Sequence, residues 1–159
     1  NVTGVQTVCS SDLVSGRGKQ IEGECEKLLR AGGGFVHRNE PRMAGRIPVR
    51  GGLPDYTLIR GGVAHYVEVK HGQGTSLRLG CLTAPPDGAK EPAGVTSIQA
   101  ATMDAIEAAG GRCYLYARLD SPHGSAAGFV SWRVWRGWLA EGRLSVRPVE
   151  LAAVAAPGI

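Results

Sequence analysis

A chain of 159 residues, 43% hydrophobic and 20% charged, can bury a sizeable core and is too ordinary in composition for wholesale disorder. Lys and Arg number 18 against 14 Asp and Glu, a formal charge of +4 with a pI near 9.1; that excess favours polyanionic partners, because neutralised phosphates release counterions. Cys9, Cys25, Cys81 and Cys113 show neither CxxC spacing nor nearby histidines, which excludes a zinc pattern, and no run of about 18 apolar residues offers a transmembrane helix.

No charged-then-apolar leader is visible, so the expected setting is cytoplasmic, in a prokaryotic or virus-infected cell. Residues 1–16 read as a flexible N-terminal arm, 17–148 as one domain and 149–159 as a loosely ordered tail. Between Gly18 and Arg30, Ile21, Cys25, Leu28 and Leu29 recur at helical spacing, and Gly32-Gly33-Gly34 ends the helix. A short strand follows over 35–39. Residues 40–53 hold Arg42, Arg46 and Arg50 among prolines and glycines, the composition of an exposed basic loop.

Strands over 55–60 and 64–70 are joined by Gly61-Gly62, which can supply the positive φ angles of a tight hairpin. Residues 71–95 are rich in Gly and Pro and show no periodicity, so a long mobile loop is expected there. A helix over 97–109 stops at Gly110-Gly111, and strands over 113–119 and 129–134 lead into a Trp-rich segment. Trp132, Trp135 and Trp138, three residues apart, suit core packing or a dimer contact. The order of elements predicts an α/β fold with one mixed sheet flanked by helices.

The chemistry concentrates at Pro54-Asp55 and Glu68-Val69-Lys70, with twelve residues between the two acids. Side chains alternate along a strand, so Glu68 and Lys70 project from one face, and the hairpin returns Asp55 beside them. Two carboxylates suit Mg²⁺, with Mn²⁺ as a substitute; the Val69 carbonyl could add a ligand. Mg²⁺ would lower the pKa of a water and polarise a phosphoryl oxygen, and Lys70 would orient the nucleophile. The competing reading is an exposed Glu/Lys pair on a strand face.

The stretch from Gly52-Leu53-Pro54-Asp55-Tyr56 to Tyr66-Val67-Glu68-Val69-Lys70 resembles the PD-(D/E)xK nuclease superfamily. Within it, the chain is most similar to Holliday junction resolvases of the RecU and Hjc types. Arg17-Gly18 with Glu22 resembles their first acidic motif, and Thr75-Ser76-Leu77 followed by Gln99 resembles the RecU order. Ile98 stands where RecU-type enzymes often have His. The resemblance covers about residues 17–135. It implies a restriction-endonuclease-like core and a Mg²⁺-dependent homodimer that makes paired, symmetric incisions in four-way DNA junctions.

Glu22 lies at the edge of the first helix's apolar arc, from which a carboxylate can reach a metal site; a solvated helix glutamate is the alternative. Gln99 falls on the inward face of its helix. It could hold a metal water or Lys70, or complete a Thr96-Ser97-Ile98-Gln99 capping box. Candidate DNA contacts are Arg17, Lys19, His37, Arg38, Arg42, Arg46, Arg50, Thr75 and Ser76, directed to phosphates because no base-reading motif is present. Two other readings stand beside the resolvase. One is a PD-(D/E)xK repair, restriction or virus-type nuclease without junction specificity. The other is a catalytically silent DNA-binding module.

Overall fold

The computed structural model describes residues 10–40, 43–44, 46–48 and 52–159. Its centre is a five-stranded sheet in the order β1 (Phe35–Arg38), β4 (Tyr56–Arg60), β5 (Val63–Gln73), β7 (Arg112–Asp120), β8 (Ala126–Ser131). The pairs β1–β4, β4–β5 and β7–β8 are antiparallel, whereas β5 and β7 run parallel. A parallel pair needs a long crossover, and α2 (Ser97–Ala108) supplies it. The α/β fold with one mixed sheet flanked by helices is as expected. Among the described residues, no helix is long and apolar enough to cross a membrane.

Alternation along the strands splits the core in two. Ile21, Cys25 and Leu29 of α1 (Ser10–Ala31) pack on Tyr56, Leu58, Val67, Tyr116 and Phe129 on one side of the sheet. On the other, Ala100 and Met103 of α2 meet Cys113, Leu115, Ala117 and Leu119. Trp132 and Trp135 of α3 (Trp132–Ala140) are fully buried in that second cluster. Their indole N–H groups donate to Asp104 Oδ1 (2.7 Å) and to the Leu79 carbonyl (3.0 Å), so the tryptophans are core residues with satisfied polar ends.

Three expectations need correction. Helix α1 begins at Ser10, inside the stretch read as a flexible arm; nothing there is as helix-breaking as the later Gly triplet. The 71–95 segment is not one mobile loop. Strand β5 runs on to Gln73, and Leu77, Leu79 and Val95 are buried. Within the segment, β6 (Leu77–Arg78) pairs with β9 (Ser145–Val146). Leu79 and Val95 are also tied by a backbone bond of 3.0 Å. Two or three well-placed apolar side chains anchor this segment without giving it a period. The tail is held as well: α4 (Pro148–Val154) buries Leu151, and Phe129 and Ala156 exchange backbone hydrogen bonds of 2.8 and 2.9 Å. In the basic segment, Arg46 is exposed at a turn between β2 (Met43–Ala44) and β3 (Ile47–Pro48). Arg42 and Arg50 lie outside the described residues.

Two glycines serve opposite needs. Gly61 (φ +58°) turns the β4–β5 hairpin with open space around it. Gly80 (φ +102°) lies so close to Val95 that a Cβ would sit 2.0 Å from its carbonyl oxygen. Gly80→Ala should therefore lower the unfolding free energy by about 3 kcal/mol and Gly61→Ala by only about 1 kcal/mol in urea titrations. Equal losses would show that the Gly80–Val95 contact is not tight in solution.

Candidate active site

The β4–β5 register pairs Tyr56 with Val67. One residue further out, Asp55 therefore stands opposite Glu68. The Val69 N–H, beyond the start of β4, donates to Asp55 Oδ2 at 2.7 Å. A strand residue presents its N–H and C=O to the same side, so the Val69 carbonyl also faces Asp55. Glu68 and Lys70 project from the face of β5 that α2 covers. Lys70 Nζ lies 3.0 Å from Glu68 Oε1 and donates to Gln99 Oε1 at 3.0 Å.

Gln99 both holds Lys70 and completes the capping box. Its Oε1 accepts from the Thr96 N–H (3.0 Å) to complete a capping box, and the same oxygen accepts from Lys70. Its Nε2 donates to Glu68 Oε1. A helix start and the two strand residues are thereby joined through one amide.

Asp55, Glu68 and Gln99 line a cleft of about 610 Å³, together with Lys90, Glu91 and Pro92. Glu68 is only 5% exposed. Burial pushes its carboxyl up to about 7; Lys70 pulls it down and Asp55 raises it. Asp55 is likewise raised by burial, against the Val69 N–H, Lys70 and Arg38. Two carboxylates facing one cleft beside a carbonyl fit a hard dication. Mg²⁺ is commonly held by one or two carboxylates, with waters and substrate phosphates completing its shell.

Glu22 stands at the same cleft with its carboxylate engaged by a neighbour, Arg38, and the Tyr56 hydroxyl donates to the Glu22 backbone carbonyl at 3.1 Å. Among the described residues, no three His, Cys, Asp or Glu side chains group closely enough to hold a metal. Of the proposed DNA contacts, Arg38 lines the cleft. Arg17 instead donates to Asp120 at 2.6 Å, in a network where Arg118 binds both Asp120 and Glu24. Lys19 is exposed on α1, away from the cleft, and His37 is exposed and stacked on Phe35. Thr75 is exposed and Ser76 half-buried between β5 and β6. Sequence reasoning missed Lys90 and Glu91. Glu91 accepts from the Ser97 N–H at 3.3 Å, but the contact spans a loop with no periodicity to reveal it.

No family model matches the sequence, and no curated protein matches it. Among solved structures, the fold is similar to that of Hjc, a Holliday junction resolvase from the archaeal hyperthermophile Archaeoglobus fulgidus. The two are 17% identical with a TM-score of 0.49, over 87% of this chain and 100% of that one.

The buried carboxyl makes a prediction about pH. Because Glu68 holds its proton up to about 7 in the folded state against an ordinary 4.5, the folded chain binds that proton more tightly than the unfolded one. The stabilisation is fully present below the ordinary value and is lost as pH rises through 7. The loss is on the order of 3 kcal/mol, at about 1.4 kcal/mol per pKa unit. In EDTA, wild-type unfolding free energy should fall across this window, and Glu68→Gln should fall less. Identical slopes in urea titrations would mean that Glu68 ionises in the ordinary carboxylate range.

Proposed function

We propose that the protein is a Mg²⁺-dependent DNA endonuclease of the PD-(D/E)xK type, with a restriction-endonuclease-like core, acting as a homodimer on four-way junctions. The observation that supports the hydrolytic reading is the convergence of Asp55 and Glu68 at one cleft across the β4–β5 pair, with Lys70 3.0 Å from Glu68. The junction preference rests on the order of motifs from Arg17-Gly18 through Thr75-Ser76 to Gln99. A two-fold dimer suits paired, opposed incisions.

When bound, Mg²⁺ supplies positive charge to polarise the scissile phosphate and acidify a water. Asp55 and Glu68 are its ligands, with the Val69 carbonyl beside them. Gln99 keeps the Lys70 ammonium on the cleft side of the sheet, where it orients the attacking water and offsets charge developing on the phosphate. Arg38 and Lys90, on the cleft walls, contact flanking phosphates. The substrate is then read by shape and backbone.

Asp55→Asn should abolish cleavage while DNA binding persists, because a negative charge facing phosphate is removed; a variant that cuts at the wild-type rate sinks the assignment. Lys70→Ala should lower kcat by about 10²–10⁴-fold and leave Mg²⁺ affinity intact in calorimetry. Substrate choice is decided by competition, with a labelled four-way junction, excess plain duplex and Mg²⁺. Symmetric nicks that persist under competition support a resolvase. If duplex competes equally, the protein is a PD-(D/E)xK nuclease without junction specificity.

A further inference from the structure

Asp55 lies one residue outside β4, so the regular sheet ladder does not hold it, yet the site needs its carboxylate fixed opposite Glu68. The residues around it show what supplies the restraint. Asn39 follows β1 directly, and its backbone N–H donates to the Asp55 carbonyl at 2.8 Å, adding one rung past the last β1–β4 pair. Its side-chain Nδ2 donates to the Pro54 carbonyl at 2.6 Å and to Thr57 Oγ1 at 2.9 Å. The Thr57 hydroxyl returns a bond to Asn39 Oδ1 at 3.0 Å, which fixes the amide's orientation. One half-buried residue thus grips the chain before, at and after Asp55.

We propose that Asn39 is the positioning residue of the site: it clamps Pro54-Asp55-Tyr56-Thr57 so that the Asp55 carboxylate stays against the Val69 N–H and beside Glu68. The chemistry of the clamp is specific. Asn offers a donor and an acceptor on one short, planar group; the donor reaches a proline-preceded bend that has no ladder partner, and the acceptor is locked by Thr57. Asn39 itself borders the cleft, but its side-chain hydrogen bonds go to Pro54 and Thr57. It acts through Asp55, as outer hydrogen-bond partners orient metal-ligating carboxylates elsewhere. The inference rests on the metal-site reading above for its consequence, although not for its geometry.

The Val69 amide reports on Asp55 directly, because its hydrogen bond goes to that carboxylate. In the full-length metal-free protein, Asn39→Ala should lose hydrogen-exchange protection at Val69 while other β5 amides keep theirs. Titrated with Mg²⁺ alone in a calorimeter, the variant should bind about 10–100-fold more weakly than wild type. Thr57→Val, which removes the lock but keeps the side-chain shape, should move both readouts the same way by less; it also serves if Asn39→Ala does not fold. A merely structural Asn39 would lower protection along the whole of β5 and leave Mg²⁺ affinity of the folded protein unchanged, and either result overturns the proposal. A wild-type protein that binds no Mg²⁺ would instead remove the metal reading, and Val69 exchange would still decide whether Asn39 holds Asp55.

Discussion

The register of β4 against β5 is the constraint on which the site depends. Side chains alternate strictly, so a slip of one residue would turn Glu68 and Lys70 toward α1 and bring Val67 and Val69 to the cleft. Two features prevent that slip. The two-residue turn pairs Arg60 with Val63 at one end, and the apolar face of Tyr56, Leu58 and Val67 commits the hairpin to α1 along its length. The same hydrophobic burial that stabilises this half of the core therefore aims the polar residues at the opposite face.

That face carries an electrostatic cost. Two carboxylates meet there, Glu68 buried and Asp55 half-buried, and each is pushed toward its protonated form. Lys70 offsets part of the charge, but a buried ion pair seldom repays its own desolvation. Gln99 reduces the cost by donating to Glu68 and accepting from Lys70, so neither partner is left without a hydrogen bond. A local conflict with stability, enclosed by otherwise consistent packing, is characteristic of functional sites in general.

Much of the positive charge behind the net value of +4 is already paired within the fold. Arg17, Arg30, Arg38, Arg118, Arg136 and Arg143 all pair with carboxylates of this chain. The Arg17–Asp120–Arg118–Glu24 network, with the Tyr116 hydroxyl donating to Glu24, ties α1 to the ends of the central strands. These arginines help to hold the fold. Arg38 also lines the cleft.

The sequence alone determined whatever depends on local period and local chemistry. Strand alternation placed Glu68 and Lys70 on one face, Gly61-Gly62 marked the hairpin, and Thr96 to Gln99 marked the start of α2, because each signal lies within a few residues and is set by backbone geometry. What tertiary structure decided was every pairing across long separations. Glu22 sits at the cleft but is held by Arg38, sixteen residues on. Leu77, Leu79 and Val95 carry no periodic pattern and are buried because β9 and Trp135 meet them. Gln99 could be read as a cap or as a partner of Lys70, and only the approach of α2 to β5 made it both. Asn39 looked like an ordinary residue ending a strand; its role exists because the chain returns Pro54 and Thr57 to it, and no local period encodes that return.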